Sequence, residues 1–240
     1  MTRVWVTRPD PLGAATAHSL TLAGYQVVCE PLLFYELVEP LPSLSGAFSC
    51  VVLTSRMAVR AMPEKAAGIE PLLAIPCYCV GAQTAEAAQA FGFSVVHVGQ
   101  GDAKALGERI LADGHTNALH LCAEDHGPEP SQTLMAGGCR LQQVPLYRMQ
   151  AAMALSQEII ERLQRETIQA VLFYSPRTAA CFVRCMKAAR LEACCRSLIA
   201  VGLSQAVRAD LDGIAFQAVV ASASPSEESL LACLKDVCPP

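Results

Sequence analysis

Short apolar runs rich in β-branched residues alternate with Ala- and Leu-rich stretches along the whole chain. The runs predict strands near 3–7, 26–30, 49–54, 76–80, 94–98, 118–122, 141–146, 169–174, 198–201 and 216–221, with helices in the intervals. Strands that are apolar throughout, separated by helices, are the pattern of a parallel sheet covered on both faces. Several helix starts are written locally. In Ser224-Pro225-Ser226-Glu227 the first serine can cap, the proline suits the first helical position, and Glu227 completes a capping box ahead of Leu230, Leu231 and Leu234. Ser175-Pro176 repeats that arrangement directly after a strand, and Ser156 precedes the stripe Ile159, Ile160, Leu163.

The pattern nearly repeats itself. Cys50-Val51-Val52-Leu53-Thr54-Ser55-Arg56 returns as Ala170-Val171-Leu172-Phe173-Tyr174-Ser175-Pro176-Arg177, and Val80-Gly81-Ala82-Gln83-Thr84 returns as Val201-Gly202-Leu203-Ser204-Gln205. Residues 55 and 175 stand 120 apart, and residues 81 and 202 stand 121 apart. The opening segment, with Val4-Trp5-Val6 and Val27 to Leu32, finds its counterpart in Leu119-His120-Leu121 and Leu141 to Leu146, where 31 and 145 stand 114 apart. Two similar units of roughly 100 to 120 residues follow, each large enough for its own core, with one cleft expected between them. Prolines at 31, 40, 42 and 145 mark the segment 30–42 as an extended connector and 143–150 as its partner.

Composition narrows the class. Of the 240 residues 52% are hydrophobic and 17% charged, which describes a buried-core protein without disordered character. No apolar run reaches the length of a membrane span, and none near the start follows a basic segment as a signal peptide would, so a soluble cytoplasmic protein is expected. A net charge of −4 without basic clusters argues against nucleic acid. The twelve cysteines form no Cys-x-x-Cys pair and sit in apolar patterns, as buried reduced thiols do. The nearest metal-ligand set is His120-x-Cys122 with His126. A full set of ligands is not evident, so no metal is expected.

Parallel sheets place ligands at the carboxyl ends of their strands, where helix starts present unpaired N–H groups to an anion. Here those positions carry Thr7-Arg8-Pro9, Thr54-Ser55-Arg56, Gly81 to Thr84, Ser175-Pro176-Arg177, Gly202 to Ser204 and Ser222 to Ser224. They are small, hydroxylic or Arg-bearing, and suit a carboxylate or phosphate. Each serine or threonine is also an ordinary cap, and each arginine an ordinary surface charge. It is their recurrence in both units that points to a ligand. The chain contains no Gly-x-Gly-x-x-Gly, P-loop or Gly-x-Ser-x-Gly, and Glu124-Asp125-His126 reads as a solvated loop. Any reaction therefore depends on positioning a reactive ligand.

In order and spacing these segments resemble the uroporphyrinogen-III synthase family over nearly the whole chain. The resemblance rests on Val6-Thr7-Arg8-Pro9, Leu53-Thr54-Ser55-Arg56 with Ala58-Val59, Val80-Gly81 with Thr84-Ala85, Pro145-Leu146-Tyr147-Arg148, Phe173-Tyr174-Ser175-Pro176, Ala200-Val201-Gly202, and Val220-Ala221 to Ser224-Pro225. It implies an α/β fold with two flavodoxin-like parallel-sheet lobes, pseudo-duplicated and joined by a two-stranded connector. One lobe is expected from 1–32 plus 149–240, the other from 38–145, with 33–37 and 146–148 connecting. It also implies closure of the linear tetrapyrrole hydroxymethylbilane to a macrocycle with inversion of ring D and loss of water, without metal or organic cofactor. Tyr147 is implied as the catalytic residue, with Arg8, Thr54, Ser55, Arg56, Gly81, Thr84, Ser175, Arg177, Gly202 and Ser204 binding substrate. A cytoplasmic monomer receiving its substrate from hydroxymethylbilane synthase is the corresponding expectation. The chain departs from the family pattern at Leu203, Arg177 and Met149. Two other readings stay open at this point: a non-catalytic two-lobed binder of a tetrapyrrole or other polyanion, and a nucleotide-dependent enzyme, which the missing glycine fingerprints disfavour.

Overall fold

The computed structural model describes residues 1–40, 44, 46–62, 69–99 and 102–240, so Pro42 lies outside the described residues. In chain order the elements begin with β1 (Arg3–Val6), α1 (Leu12–Leu22), β2 (Gln26–Cys29), β3 (Leu33–Leu37), β4 (Cys50–Leu53), α2 (Arg56–Ala61) and α3 (Ile69–Leu73). Next come β5 (Cys77–Cys79), α4 (Ala82–Phe91), β6 (Val96–Val98), α5 (Ala103–Ala112), β7 (Asn117–Ala123), α6 (Ser131–Ala136) and the long β8 (Arg140–Ala151). The chain closes with α7 (Gln157–Gln164), β9 (Ala170–Phe173), α8 (Pro176–Ala189), β10 (Ile199–Gly202), α9 (Gln205–Ala209), β11 (Ala218–Ala221) and α10 (Glu227–Val237). The apolar runs read as strands are strands, while the first connector contains the additional strand β3.

The chain divides into two compact units, Met1–Phe34 with Gln150–Pro240, and Tyr35–Met149. The first holds a five-stranded sheet in the order β2-β1-β9-β10-β11, paired in parallel throughout. Counted within the unit this is the order 2-1-3-4-5 of flavodoxin-like sheets. The second holds β8-β7-β4-β5-β6, again with parallel pairings, extended by β3 beside β8. The two sheets have the same spatial order, but the strands that open the first unit come last in the second. Val38 N–H donates to Leu146 O at 3.0 Å while Glu36 pairs with Arg148, so the residue numbers of β3 and β8 run in opposite directions.

Both faces of each sheet are covered. In β1, Val4 and Val6 pack with Leu20, Leu230 and Leu234 on one side, while Trp5 joins Phe173, Phe182 and Met186 on the other. Trp5 is fully buried, donates from Nε1 to Glu30 O at 2.9 Å, and meets the Phe182 ring at 5.6 Å. Each such ring contributes roughly 1.5–3 kcal/mol by leaving water. In the second unit Val51, Leu53, Leu119 and Leu121 face one layer, and Cys50, Val52 and Tyr78 the other. All cysteines but Cys29, Cys194 and Cys233 are buried and all are free thiols, which is the small-hydrophobe role expected of them.

Ser175 and Ser156 cap as expected, accepting from Thr178 N–H and Ile159 N–H at 3.2 Å each. The final helix differs from expectation. Its cap is Ser226, whose oxygen accepts from Ser229 N–H at 3.2 Å. Ser224 lies outside, and Glu227, the first helical residue, reaches across to Thr16 and Arg8 instead of closing a capping box. The far partners give the carboxylate a charged donor, which outweighs a local backbone amide.

Candidate active site

The carboxyl edges of both sheets carry the residues singled out in the sequence, each unit presenting its own set. In the first unit β1 and β9 are neighbours, so Arg8 and Tyr174 emerge side by side. The Arg8 guanidinium carbon lies 4.1 Å from the centre of the Tyr174 ring. Arg8 Nη1 is 3.3 Å from Glu227 Oε2 and 3.5 Å from Thr16 Oγ1. The Tyr174 hydroxyl also reaches Thr16 Oγ1 at 3.4 Å. Burial pushes the Tyr174 phenol up to about 12, with Thr16 and Arg8 working the other way. Thr7, before Arg8, is buried and donates to Leu172 O at 2.5 Å, which ties the turn to β9.

Ser175 follows at the start of α8, its hydroxyl shared with Thr178 Oγ1 at 2.8 Å, and Arg177 is exposed one residue after Pro176. The next strand end over is Gly202, joined to this edge where Leu203 N–H donates to Phe173 O at 2.9 Å. A Cβ on Gly202 would stand 3.0 Å from Val207 Cγ1, so a side chain there would press on α9. Ser204 caps α9, accepting from Val207 N–H at 3.4 Å.

In the second unit the corresponding edge is formed by β4, β5, β7 and β8. Ser55 caps α2, accepting from Met57 N–H at 3.1 Å, and Arg56 is the first residue of that helix, half-buried. Gly81 caps α4 with extended backbone, and Thr84 is buried inside that helix's first turn. Thr54 Oγ1 stands 3.5 Å from Nε2 of the fully buried His120. Burial, helped by His126, lowers the His120 imidazole to about 4, which keeps it neutral.

Tyr147 lies on β8 where Glu124 N–H donates to its carbonyl at 2.8 Å. Its ring is buried, edge-on to Tyr35 at 5.8 Å. Burial raises its phenol above the ordinary value, by more than the nearby Ser55 hydroxyl lowers it. The structure therefore joins Tyr147, Ser55 and Thr54 on one edge, with Gly81 at the adjoining strand end, and joins Arg8, Ser175, Gly202 and Ser204 on the other. Tyr174, Thr16 and Glu227 are not among the residues that the sequence singles out. Tyr174 could have been, since it stands immediately before Ser175 in the repeated motif. Glu124 and Asp125 are exposed as expected, but His126 is half-buried, its ring stacked on His120 at 5.3 Å. Among the described residues no helix is long and apolar enough to cross a membrane.

Two solved structures share this architecture. One is uroporphyrinogen-III synthetase from Helicobacter pylori, at TM-score 0.66 and 17% identity, covering 99% of this chain and 100% of that one. The other is a mutant uroporphyrinogen III synthase from Thermus thermophilus, at TM-score 0.56 and 19% identity, covering 98% of each chain. At these identities the likeness shows the fold. Membership comes from sequence, where the family described as uroporphyrinogen-III synthase HemD matches residues 14–232. With that match spanning all but the ends, the chain belongs to the uroporphyrinogen-III synthase family.

Proposed function

We propose that this chain closes hydroxymethylbilane to uroporphyrinogen III, a hydro-lyase reaction that forms a ring as it releases one water. The observation that carries the reading is the buried Tyr147 phenol at the carboxyl edge of a parallel sheet, the edge that also carries the Ser55 and Thr54 hydroxyls. Ser55 accepts from Met57 N–H, and the Tyr147 phenol, kept protonated by burial, donates its own proton. That proton is directed at the terminal hydroxyl of the bilane. Its departure as water yields an azafulvene. The far pyrrole ring attacks through its substituted carbon to form a spiro intermediate, which fragments and recloses with that ring inverted.

The acetate and propionate groups of the substrate are anions, and the donors to receive them are Arg8, Arg56, Arg177, the hydroxyls of Thr54, Ser175 and Ser204, and the helix-start amides beside Gly81, Thr84 and Gly202. Selecting the inverted isomer over spontaneous closure by about a hundredfold requires about 2.7 kcal/mol of differential transition-state stabilisation. A few placed hydrogen bonds supply that, so no strong acid or base is needed. The protein acts as a cytoplasmic monomer on bilane released by hydroxymethylbilane synthase. The decisive experiment is the isomer ratio of the oxidised product formed from hydroxymethylbilane by the purified chain. Predominantly type III product is expected, and a ratio equal to that of the uncatalysed reaction would overturn the proposal.

A further inference from the structure

At the carboxyl end of β7, His120, Cys122 and His126 each bring one ligand atom to within 4.8 Å of the other two. Strand alternation places His120 and Cys122 on one face. The loop that follows folds back so that the imidazole of His126 lies parallel to that of His120, with 10° between the planes. His120 and Cys122 are buried, while His126 is half-buried and gives the cluster a side from which an ion can enter.

We propose that these three side chains form a binding site for a thiophilic divalent cation of the Zn2+ class. Two imidazoles and a thiolate are the donor set that such ions prefer, at about 2.0–2.1 Å from nitrogen and about 2.3 Å from sulfur, whereas Mg2+ and Ca2+ require oxygen ligands. The rings are already oriented from outside. His120 Nδ1 is 3.1 Å from Ser131 Oγ, and the Gln143 side-chain amide meets both Ser131 Oγ at 2.8 Å and His126 Nε2 at 2.6 Å. One serine and one glutamine thus contact both imidazoles; the Gln143 amide nitrogen donates to His126 Nε2, and turning that amide so that its oxygen accepts from an Nε2–H gives the outer-shell arrangement that fixes ring orientation at metal centres. His126 retains a second nitrogen beyond these bonds, and the second nitrogen of His120, Nε2, faces the Thr54 hydroxyl at 3.5 Å, which a bound ion would displace. Cys122 is held as a thiol by burial, so binding forms a metal–sulfur bond and releases the thiol proton to solvent. Three protein ligands leave the fourth tetrahedral position to water.

The site is tested by metal binding alone, without turnover. The untagged full chain, titrated anaerobically with Co2+, is expected to develop a thiolate-to-cobalt charge-transfer band with tetrahedral ligand-field absorption, saturating at one ion per chain and displaced by Zn2+. Cys122→Ser abolishes the charge-transfer band, whereas Cys139→Ser, altering a buried thiol at the start of the neighbouring strand, leaves it unchanged. His126→Gln, made on the more accessible loop so that folding is preserved, weakens Zn2+ binding by at least about tenfold in a chelator competition. A band that survives Cys122→Ser, no band in the unaltered chain, or equal Zn2+ affinity with and without His126 would each overturn the site.

Discussion

Arg8 lies face-on to Tyr174, its guanidinium carbon 4.1 Å from the ring centre. Glu227 and Thr16 hold the same guanidinium from its edge, and only 16% of the side chain is exposed. A planar cation fixed on three sides presents a preset fork to a carboxylate, which a lysine ammonium on a flexible stem cannot reproduce. Arg8→Lys is expected to lower kcat/KM for the bilane by about tenfold, or about 1.4 kcal/mol, chiefly through KM. Steady-state kinetics check this. An unchanged KM would reduce Arg8 to a brace for α10.

Tyr147→Phe keeps the ring against Tyr35 and deletes only the hydroxyl. Loss of that one buried hydroxyl costs about 1 kcal/mol of stability. If the phenol assists water loss, kcat falls by about a hundredfold while KM changes little. Because the phenol's pKa lies above its ordinary value, Tyr147 stays protonated through the neutral range, and removing it should leave the shape of the pH–rate profile unchanged there. Single-turnover kinetics beside an unfolding titration separate the two effects, and full turnover in the variant would assign Tyr147 to packing alone.

Capping and ligand binding can be separated at Ser175. Ser175→Ala removes the acceptor for Thr178 N–H and should cost about 1 kcal/mol in urea unfolding. Ser175→Asp retains an equally good cap but places a negative charge where a substrate carboxylate is proposed to dock. Stability close to that of the unaltered chain with KM raised about tenfold is the expected result. An aspartate variant with unaltered KM would show that the serine serves the helix only.

How much of this was visible in the sequence depends on whether the deciding partner was local. Cys50–Leu53 and Ala170–Phe173 read as strands because burial on both faces makes them apolar throughout. Leu33–Leu37 read from its own residues only as an extended connector, since Glu36 and the flanking prolines mask a one-sided edge strand, and only the family resemblance implied a strand there. The cyclic exchange of strand pairs came only from the family resemblance, because sequence order does not state which strands adjoin. Ser224-Pro225 imitates Ser175-Pro176, yet the helix begins at Glu227, whose carboxylate is claimed by Arg8 from 219 residues away. The stacking of Tyr174 and the return of His126 onto His120 depend likewise on contacts that no local pattern announces. Residues such as Ser55, Ser175 and Gly202 were legible because strand ends and helix starts are local features.

The far end of the second sheet carries a pH-sensitive group. Tyr78 is buried, donates to Asp113 Oδ2 at 2.8 Å, meets His115 Nε2 at 3.0 Å, and stacks on His97 at 4.7 Å. Burial lowers the His115 imidazole, opposed by Asp113 and reinforced by His97. Its folded value is thus below its unfolded one, so its contribution is fully present above the ordinary histidine value of about 6.5 and is lost as pH falls through the folded value. Asp113 shifts in the same direction, held down first by Arg109 and then by Tyr78, and its contribution is lost only in the lower carboxylate range. Acid unfolding should therefore begin with a shallow loss of stability below about pH 6.5, before the carboxylates titrate. His115→Gln retains a hydrogen-bonding group but cannot titrate. Urea titrations across that window should show an early slope that is smaller, though not absent, in the variant, because His120, lowered to about 4, takes up a proton over the same range, and a slope unchanged in His115→Gln would place the whole uptake at His120.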